Sequence, residues 1–274
     1  MRENKAASWS VNTILILFAV VSFFPIYMSV INSFKSQAEI FTSVLALPKE
    51  FTFDNYIGVF KELNLLDSAV NTLIVTVIGL AGIVICGSLA GYKLARTSGK
   101  FSNFIFMLFI ASMLVPFHSI MITLSQIAKG VGAQGSLIGL GLIYIGLGVN
   151  MAVFLYHGFV KAIPKELEEA AKIDGCNDFQ IFTKIIFPLL KPITATILVL
   201  NVLWLWNDFL LPLIMLTDVN NYTLMLSINM LFGQYAADWP KILASLVLTA
   251  LPVIIFYAIF QKYILEGIAD GAIK

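Results

Sequence analysis

The chain has 274 residues, 59% of them hydrophobic and 12% charged, with a mean hydropathy of +0.91 and a formal net charge of +1. A soluble domain carries about 25% charged residues, so this composition excludes a water-soluble globule and indicates an all-α polytopic membrane protein. The near-zero charge offers no basic field to a nucleic-acid partner, and two cysteines, Cys86 in an apolar run and Cys176 in a polar loop, imply no disulfide framework.

A membrane-spanning helix needs about 20 mostly apolar residues to cross a hydrocarbon core of about 30 Å. Six such runs follow one another. The first, 11–34, comes after Arg2-Glu3-Asn4-Lys5; it is longer than a secretory h-region and lacks a small-x-small cleavage site, so it is read as a retained helix. An outer loop, 35–69, is expected to lie on the membrane surface as short amphipathic pieces, one of them around Phe51, Phe53 and Tyr56. The second span, 70–92, carries Gly79, Gly82, Gly87 and Gly91 as a close-packing face. The third, 101–127, contains Pro116 and His118; with no Cys, Asp or second His at ligand spacing, that histidine is assigned to a kink rather than a metal. The fourth, 135–156, is glycine-rich for packing or for gating, and His157 beyond it is expected to be solvated at the inner interface. The fifth, 184–209, holds Lys191, Asn201, Asn207 and Asp208 and is prolonged by an apolar tail, 210–216. A turn-prone outer loop, 217–241, leads to the sixth span, 242–261.

Lys35, Lys49, Lys61, Lys129 and Lys241 fall on one side of this arrangement, and the other twelve of the 17 Lys and Arg residues fall on the side of the N-terminus. Positive charge collects on the cytoplasmic face. Both termini are therefore expected inside.

The long inner loop, 157–183, is patterned as a helix over 164–175. Pro164 suits the first helical position, Glu166, Glu168 and Glu169 sit at the positive end of the helix dipole, and Gly175 can stop the helix in a left-handed cap. Leu167, Ala170, Ala171 and Asp174 recur at i, i+3, i+4 and i+7, which puts small residues at the centre of one face. Such a face lets another surface approach the backbone closely. Asn177 or Asp178 can then cap a second helix, which enters the membrane past Pro188, Lys191 and Pro192. By composition alone this is an ordinary surface helix between two spans.

Its spacing says more. Glu169-Ala170-Ala171, three residues, Gly175, nine residues, Ile185, one residue and Phe187-Pro188 resembles the EAA signature of ABC-importer membrane subunits, with Phe187 where Leu is usual. The stretch from Trp206-Asn207-Asp208 to Pro212, Asn221-Tyr222-Thr223-Leu224, and the C-terminal 266–274 resemble the carbohydrate-uptake branch, and the whole chain is similar to its maltose-type "G" permease subunits. The resemblance implies a type I ABC importer permease fold: one transmembrane permease domain over 1–274, six transmembrane helices and a cytoplasmic EAA coupling helix. It also implies the cytoplasmic membrane of a bacterium or archaeon. The implied partners are a homologous second permease, two cytoplasmic ATPase subunits, an extracytoplasmic sugar-binding protein and membrane lipid. The implied cargo is an oligosaccharide more than a monosaccharide, although glycerol phosphate and related polar solutes use similar permeases.

Carried over position by position, Glu166, Leu167, Glu169, Ala170, Ala171, Asp174 and Gly175 are the expected ATPase-coupling residues. Glu169 would pair with a basic group, the alanines would permit close packing, and Gly175 would reverse the chain. Asp270 and Gly271 in the tail are expected to reach the ATPases as well; the other reading of this end is a frayed polar terminus. Asn201, Trp204, Asn207 and Asp208 line roughly one face of the fifth span and are expected on the substrate path, since aromatic rings stack on sugar C–H surfaces and amides bond hydroxyls. Hydrogen bonding between helices is the competing reading. Tyr222, Gly233, Gln234 and Tyr235 are the expected contacts for the binding protein.

No metal site is expected, and no cofactor bound by this chain. The Gly99-Lys100 pair is followed by Phe101 and lacks the earlier glycine of a phosphate-wrapping loop, so ATP and Mg²⁺ are assigned to the partner ATPases and the chain is read as non-catalytic. Two other classes fit the sequence less well. A self-sufficient ion-coupled transporter would place an acid near mid-membrane, and only Asp208, near an edge, comes close; an embedded enzyme would need a nucleophile with its base, or a metal cluster. Replacing a small residue of the coupling face by a bulky one should overpack its contact. Ala170→Trp is expected to insert normally but to lose transport and to retain the ATPase poorly, as co-purification and uptake assays would show.

Overall fold

The computed structural model describes the backbone of residues 5–233 and 237–272, and their side chains except at 5–8, 10, 260 and 262–272. In chain order the helices are α1 (Lys5–Asn32), α2 (Gln37–Thr42), α3 (Asp54–Glu62), α4 (Leu65–Arg96), α5 (Lys100–Met113), α6 (Phe117–Gly130), α7 (Leu137–Ala162), α8 (Glu166–Ile173), α9 (Asp178–Ile181), α10 (Phe187–Leu189), α11 (Lys191–Asn207), α12 (Leu210–Met215), α13 (Leu224–Asn229) and α14 (Trp239–Ala272). Among the described residues, β pairing is confined to one antiparallel bridge between Phe232 and Ala237.

Among the described residues, four helices are long and apolar enough to cross a membrane: the Val11–Asn32 part of α1, α4, α7 and the Trp239–Ile259 part of α14. Counting each of two bent pairs as one span gives the expected six. The kink expected at Pro116 in the run 101–127 is a sharp corner, and the run 184–209 contains a second one near its start. Between α5 and α6 the chain turns by 103°. Pro116 sits at the corner in an extended conformation, where it can neither donate to the preceding turn nor leave Val115 helical. The second bend, of 73°, separates α10 from α11 at Leu190. It lies between Pro188 and Pro192 and follows a π-helical turn, Phe182–Ile186, so several carbonyls of this stretch lack their usual donors.

Contacts divide the chain, expected as one domain over 1–274, into two compact units. The first consists of Met1–Leu66 and Ser227–Pro252. Here the loop after α1 folds back on a polar cluster: Lys35 is fully buried, its Nζ donating to Asn32 Oδ1 and to the Ser43 carbonyl, both at 2.9 Å. Asn55 donates to the carbonyls of Ser33 and Lys35, and Ser33 and Tyr56 share a hydroxyl contact of 2.7 Å. The aromatic rings of Phe51, Phe53 and Tyr56 gather around Phe34. Amphipathic pieces form in this loop as expected, with the helix starting at Asp54 and burying Val59. Lys241 Nζ meets both Glu62 oxygens at 2.7 Å, tying α3 to the first turn of α14.

The second unit, Asp67–Leu226 with Val253–Lys274, is organised around α7. One stripe of that helix, including Leu140, Tyr144, Gly148, Ala152, Tyr156 and Val160, is buried and passes through two apolar clusters. The spacing of three and four residues is that of one helix face. The glycines of α4 and α7 bring the two helices together. A Cβ on Gly87 would stand 2.6 Å from the Ala152 Cβ, one on Gly91 2.7 Å from the Tyr156 Cβ, and one on Gly141 2.6 Å from Ile78 Cγ2; Gly82 meets Ile145 and Gly148 meets Ile83 in the same way. His157 departs from expectation. It is 7% exposed and stacked on Phe106 at 3.7 Å between ring centroids, because α5 packs along α7 and covers it.

Gly87→Val is expected to lower the thermal midpoint of the detergent-solubilised protein through a penalty of about 1–3 kcal/mol from overpacking. Gly158→Ala, an exposed position of α7 where the added methyl meets no neighbouring element within 4 Å, should not lower the midpoint, since alanine favours the helix over glycine, and serves as the control.

Candidate functional site

A helix stands in the expected stretch 164–175 as α8, Glu166–Ile173; Pro164 lies outside it, one residue before the N-cap Lys165, and is not its first helical residue. Three acidic side chains occupy its first turn, Lys172 its last. Its end is a Schellman motif: Cys176 N–H donates to the Ala171 carbonyl at 2.9 Å, Gly175 N–H to that of Lys172 at 3.1 Å, and Gly175 adopts φ +83°. Asn177 then opens α9 with a reciprocal capping box, its side chain accepting from Gln180 N–H while Gln180 accepts from Asn177 N–H, each at 2.9 Å. Two residues, Gly175 and Cys176, separate the C-cap Asp174 from the N-cap Asn177, so the chain reverses with little slack.

The faces of α8 divide differently from the expected grouping of Leu167, Ala170, Ala171 and Asp174. Ala171 is 5% exposed and belongs to the chain's own core with Tyr156, Ile181, Phe182 and Ile186. Its methyl is spent inside the protein, because close approach of α8 to the spans needs a small residue there. Glu166, Leu167, Glu169, Ala170, Asp174 and Gly175 are exposed, together with Ile173, which is 87% exposed. Glu168, which sequence reasoning had counted only as helix-dipole charge, turns inward and is held by Arg96. No pattern in the sequence pairs those two, which stand 72 positions apart.

The four polar candidates of the fifth span also separate. Asn201 is buried and donates to the Ile197 carbonyl at 2.8 Å, with its oxygen beside Gly148. Asp208 ends α11: one oxygen accepts the Tyr144 hydroxyl at 2.7 Å and the other the backbone N–H of Leu210 at 3.1 Å. These two fit the reading of bonding within and between helices. Trp204 and Asn207 remain exposed. Trp204 stands edge-on to the Tyr144 ring at 5.4 Å and lines a cavity of about 500 Å³ with Asn150, Met151 and Gly146 of α7 and Ser112, Met113, Phe117 and Ile120 of the α5–α6 corner. An indole, an amide and a hydroxyl thus meet on one largely apolar wall, the makeup of a small-molecule site. Asn150 and Ser112 were missed, although an amide inside an apolar run is by itself a signal.

In the loop at 217–241, Tyr222 is half-buried against the core of the second unit and its carbonyl accepts from Asn71, which also bonds the Asn220 carbonyl. Tyr222 therefore anchors the loop instead of standing free for a partner. Gly233 is exposed, while Gln234 and Tyr235 lie outside the described residues. Asp270 and Gly271 fall in the last turns of α14, with their side chains likewise outside the described residues. A polar cleft of about 580 Å³ in the first unit, lined by Glu39, Lys49, Glu50 and Asp54 among others, belongs to the outer loop; its Glu39 carboxylate already accepts the Lys49 N–H at 2.7 Å.

Comparison with known proteins agrees with this geometry. A family model described as the binding-protein-dependent transport system inner membrane component matches residues 83–269. The chain is 40% identical over 275 residues, covering 100% of both sequences, to the probable starch degradation products transport system permease protein of Thermoanaerobacterium thermosulfurigenes. It is 33% identical, again over 100% of both, to the melibiose/raffinose/stachyose import permease protein of Bacillus subtilis. Among solved structures, a chain of a bacterial ABC transporter involved in the import of the acidic polysaccharide alginate superposes with a TM-score of 0.82 at 23% identity, over 96% of this chain and 98% of that one, and shows the same fold.

Tyr144→Phe removes the hydroxyl that secures Asp208 at the α11–α12 corner. A loss of about 1–2 kcal/mol is expected, measurable as a lower thermal midpoint in detergent; an unchanged midpoint would leave the bond without a structural role.

Proposed function

The chain belongs to the family of binding-protein-dependent transport system inner membrane components, and from that premise we propose that it is a membrane-spanning permease subunit of an ATP-driven oligosaccharide importer. Its relatives are named for starch degradation products and for melibiose, raffinose and stachyose, which supports a neutral oligosaccharide as cargo. The subunit works in the cytoplasmic membrane with both termini inside. It lines the path with a homologous permease, receives solute from an extracytoplasmic binding protein and is driven by two cytoplasmic ATPases. ATP and Mg²⁺ are bound there, and this subunit performs no chemistry of its own.

The observation that carries this reading is α8: eight residues, capped at its C-terminal end, with Ile173, Leu167 and Ala170 turned outward. Apolar side chains held in water on a rigid element are a docking surface. Closure of the ATPases on ATP displaces α8, the spans tilt, and the cavity beside Trp204 changes the side to which it opens. Hydrolysis resets the cycle. At that cavity the indole face stacks on a sugar's C–H surface, while Asn150 and Ser112 offer hydrogen bonds to its hydroxyls.

In proteoliposomes holding the complete complex, Trp204→Ala and Asn150→Ala should each lower uptake about tenfold, the equivalent of about 1.4 kcal/mol, with all subunits still co-purifying. Solute uptake by vesicles that contain this polypeptide alone would overturn the assignment.

A further inference from the structure

Arg96, in the last turn of α4, makes two bonds at the base of α8. Its Nε meets Glu168 Oε1 at 2.6 Å, and its Nη2 donates to the carbonyl of Ile163, the residue that caps α7, at 2.9 Å. The second Glu168 oxygen accepts the hydroxyl of Tyr92, one turn back on α4, at 2.8 Å. The side chains of the ion pair are 12% and 13% exposed, so water and salt screen it weakly. The other ion pair of α8 among the described residues joins Lys172 and Asp178 at 3.8 Å, with both side chains in the open, and a pair of that kind contributes little.

We propose that Arg96, Glu168 and Tyr92 form the mechanical link that delivers a displacement of α8 to the spans, with Arg96 and Glu168 as positioning residues that do not touch the motor. The proposal rests on the reading of α8 as the ATPase-facing element. Apart from this knot, Ala171 is the one fully buried residue of α8 among the described residues, and burying so small a group holds an element weakly. A docked motor could rotate or lift such a helix on its short connections to α7 and α9 while α4 stayed where it was. Charge-assisted bonds to a planar guanidinium fix both distance and direction, so lifting or rotating α8 must move Arg96. Three elements are joined at that side chain: the end of α4, the cap of α7 and the first turn of α8. Above it α4 cannot slide along α7, because Gly87 and Gly91 seat it against Ala152 and Tyr156. A pull at Glu168 therefore travels into α7 and reaches Gly146 and Asn150 on the cavity wall.

The test uses the full complex, with partner permease, both ATPases and binding protein, carrying Glu168→Gln, Arg96→Gln or the exchanged pair Arg96→Glu/Glu168→Arg. The ATPases should co-purify as in the wild type and hydrolysis stimulated by the binding protein should stay within about twofold, while solute moved per ATP falls about 5- to 100-fold in the single variants, the range that couplings between sites span. The exchanged pair should recover part of that loss, which a general folding defect would not. Wild-type solute per ATP in Glu168→Gln overturns the link, and so does loss of the ATPases from that variant, which would make Glu168 a docking residue. Should the Gln variants fail to insert, Tyr92→Phe keeps the ion pair and should still lower solute per ATP; an unchanged ratio there counts against the proposal. Cross-linking from Ile173→Cys in the otherwise unaltered complex tests the underlying reading separately, since failure to capture an ATPase removes the docking role of α8 whatever the variants do.

Discussion

At Gly87 two long helices stand too close to leave room for a methyl group, and the same holds at Gly91, Gly82, Gly141 and Gly148 along the contact of α4 with α7. Lipid tails are as apolar as leucine, so inside a membrane helices gain nothing from hiding apolar surface from water; close packing of small residues is what holds them. This contact makes α4 and α7 one body. The rest of the second unit takes its position from α7, whose buried stripe runs through both apolar clusters and carries the tyrosines that bond Asp208 and Thr194.

α8 shows how one short helix serves two purposes. Ala171 points inward because only a small residue lets α8 lie against the core, and among the described residues Ile173 is left almost uncovered and Leu167 half covered. Its C-terminal cap uses backbone and glycine geometry alone, so the outer face keeps its side chains free for a partner. Its first turn is held through Glu168, and the force a partner applies enters the spans at the one point where three helix ends meet.

The prolines set the other half of the design. Pro116 turns α5 into α6 by a near right angle, and the corner becomes one wall of the cavity beside Trp204. Pro188 and Pro192 bracket the bend at Leu190, so α11 departs from the coupling segment at an angle while remaining attached to it. A straight helix in either place would have closed the cavity or stiffened the connection between α8, α9 and α11.

Membrane class, the number of apolar runs, the coupling helix with its caps and the glycine face of α4 were all legible in the sequence, because each depends on local rules: run length against bilayer thickness, caps at fixed offsets, small residues every three to five positions. Side-chain assignments that depend on which way a helix is rotated were not. Asn201 and Trp204 are three residues apart and both lie against α7, yet one is buried beside Gly148 and the other lines a cavity that the α5–α6 corner leaves open. His157 was expected in water and lies under α5. Arg96 and Glu168, and likewise Asn150 and Trp204, meet only after α4, α7, α8 and α11 have packed. The sequence alone determined what kind of element stands at each place, because backbone geometry and hydrophobicity act over a few residues; tertiary structure decided which side chains meet, because that is set by contacts between segments that no short-range pattern connects.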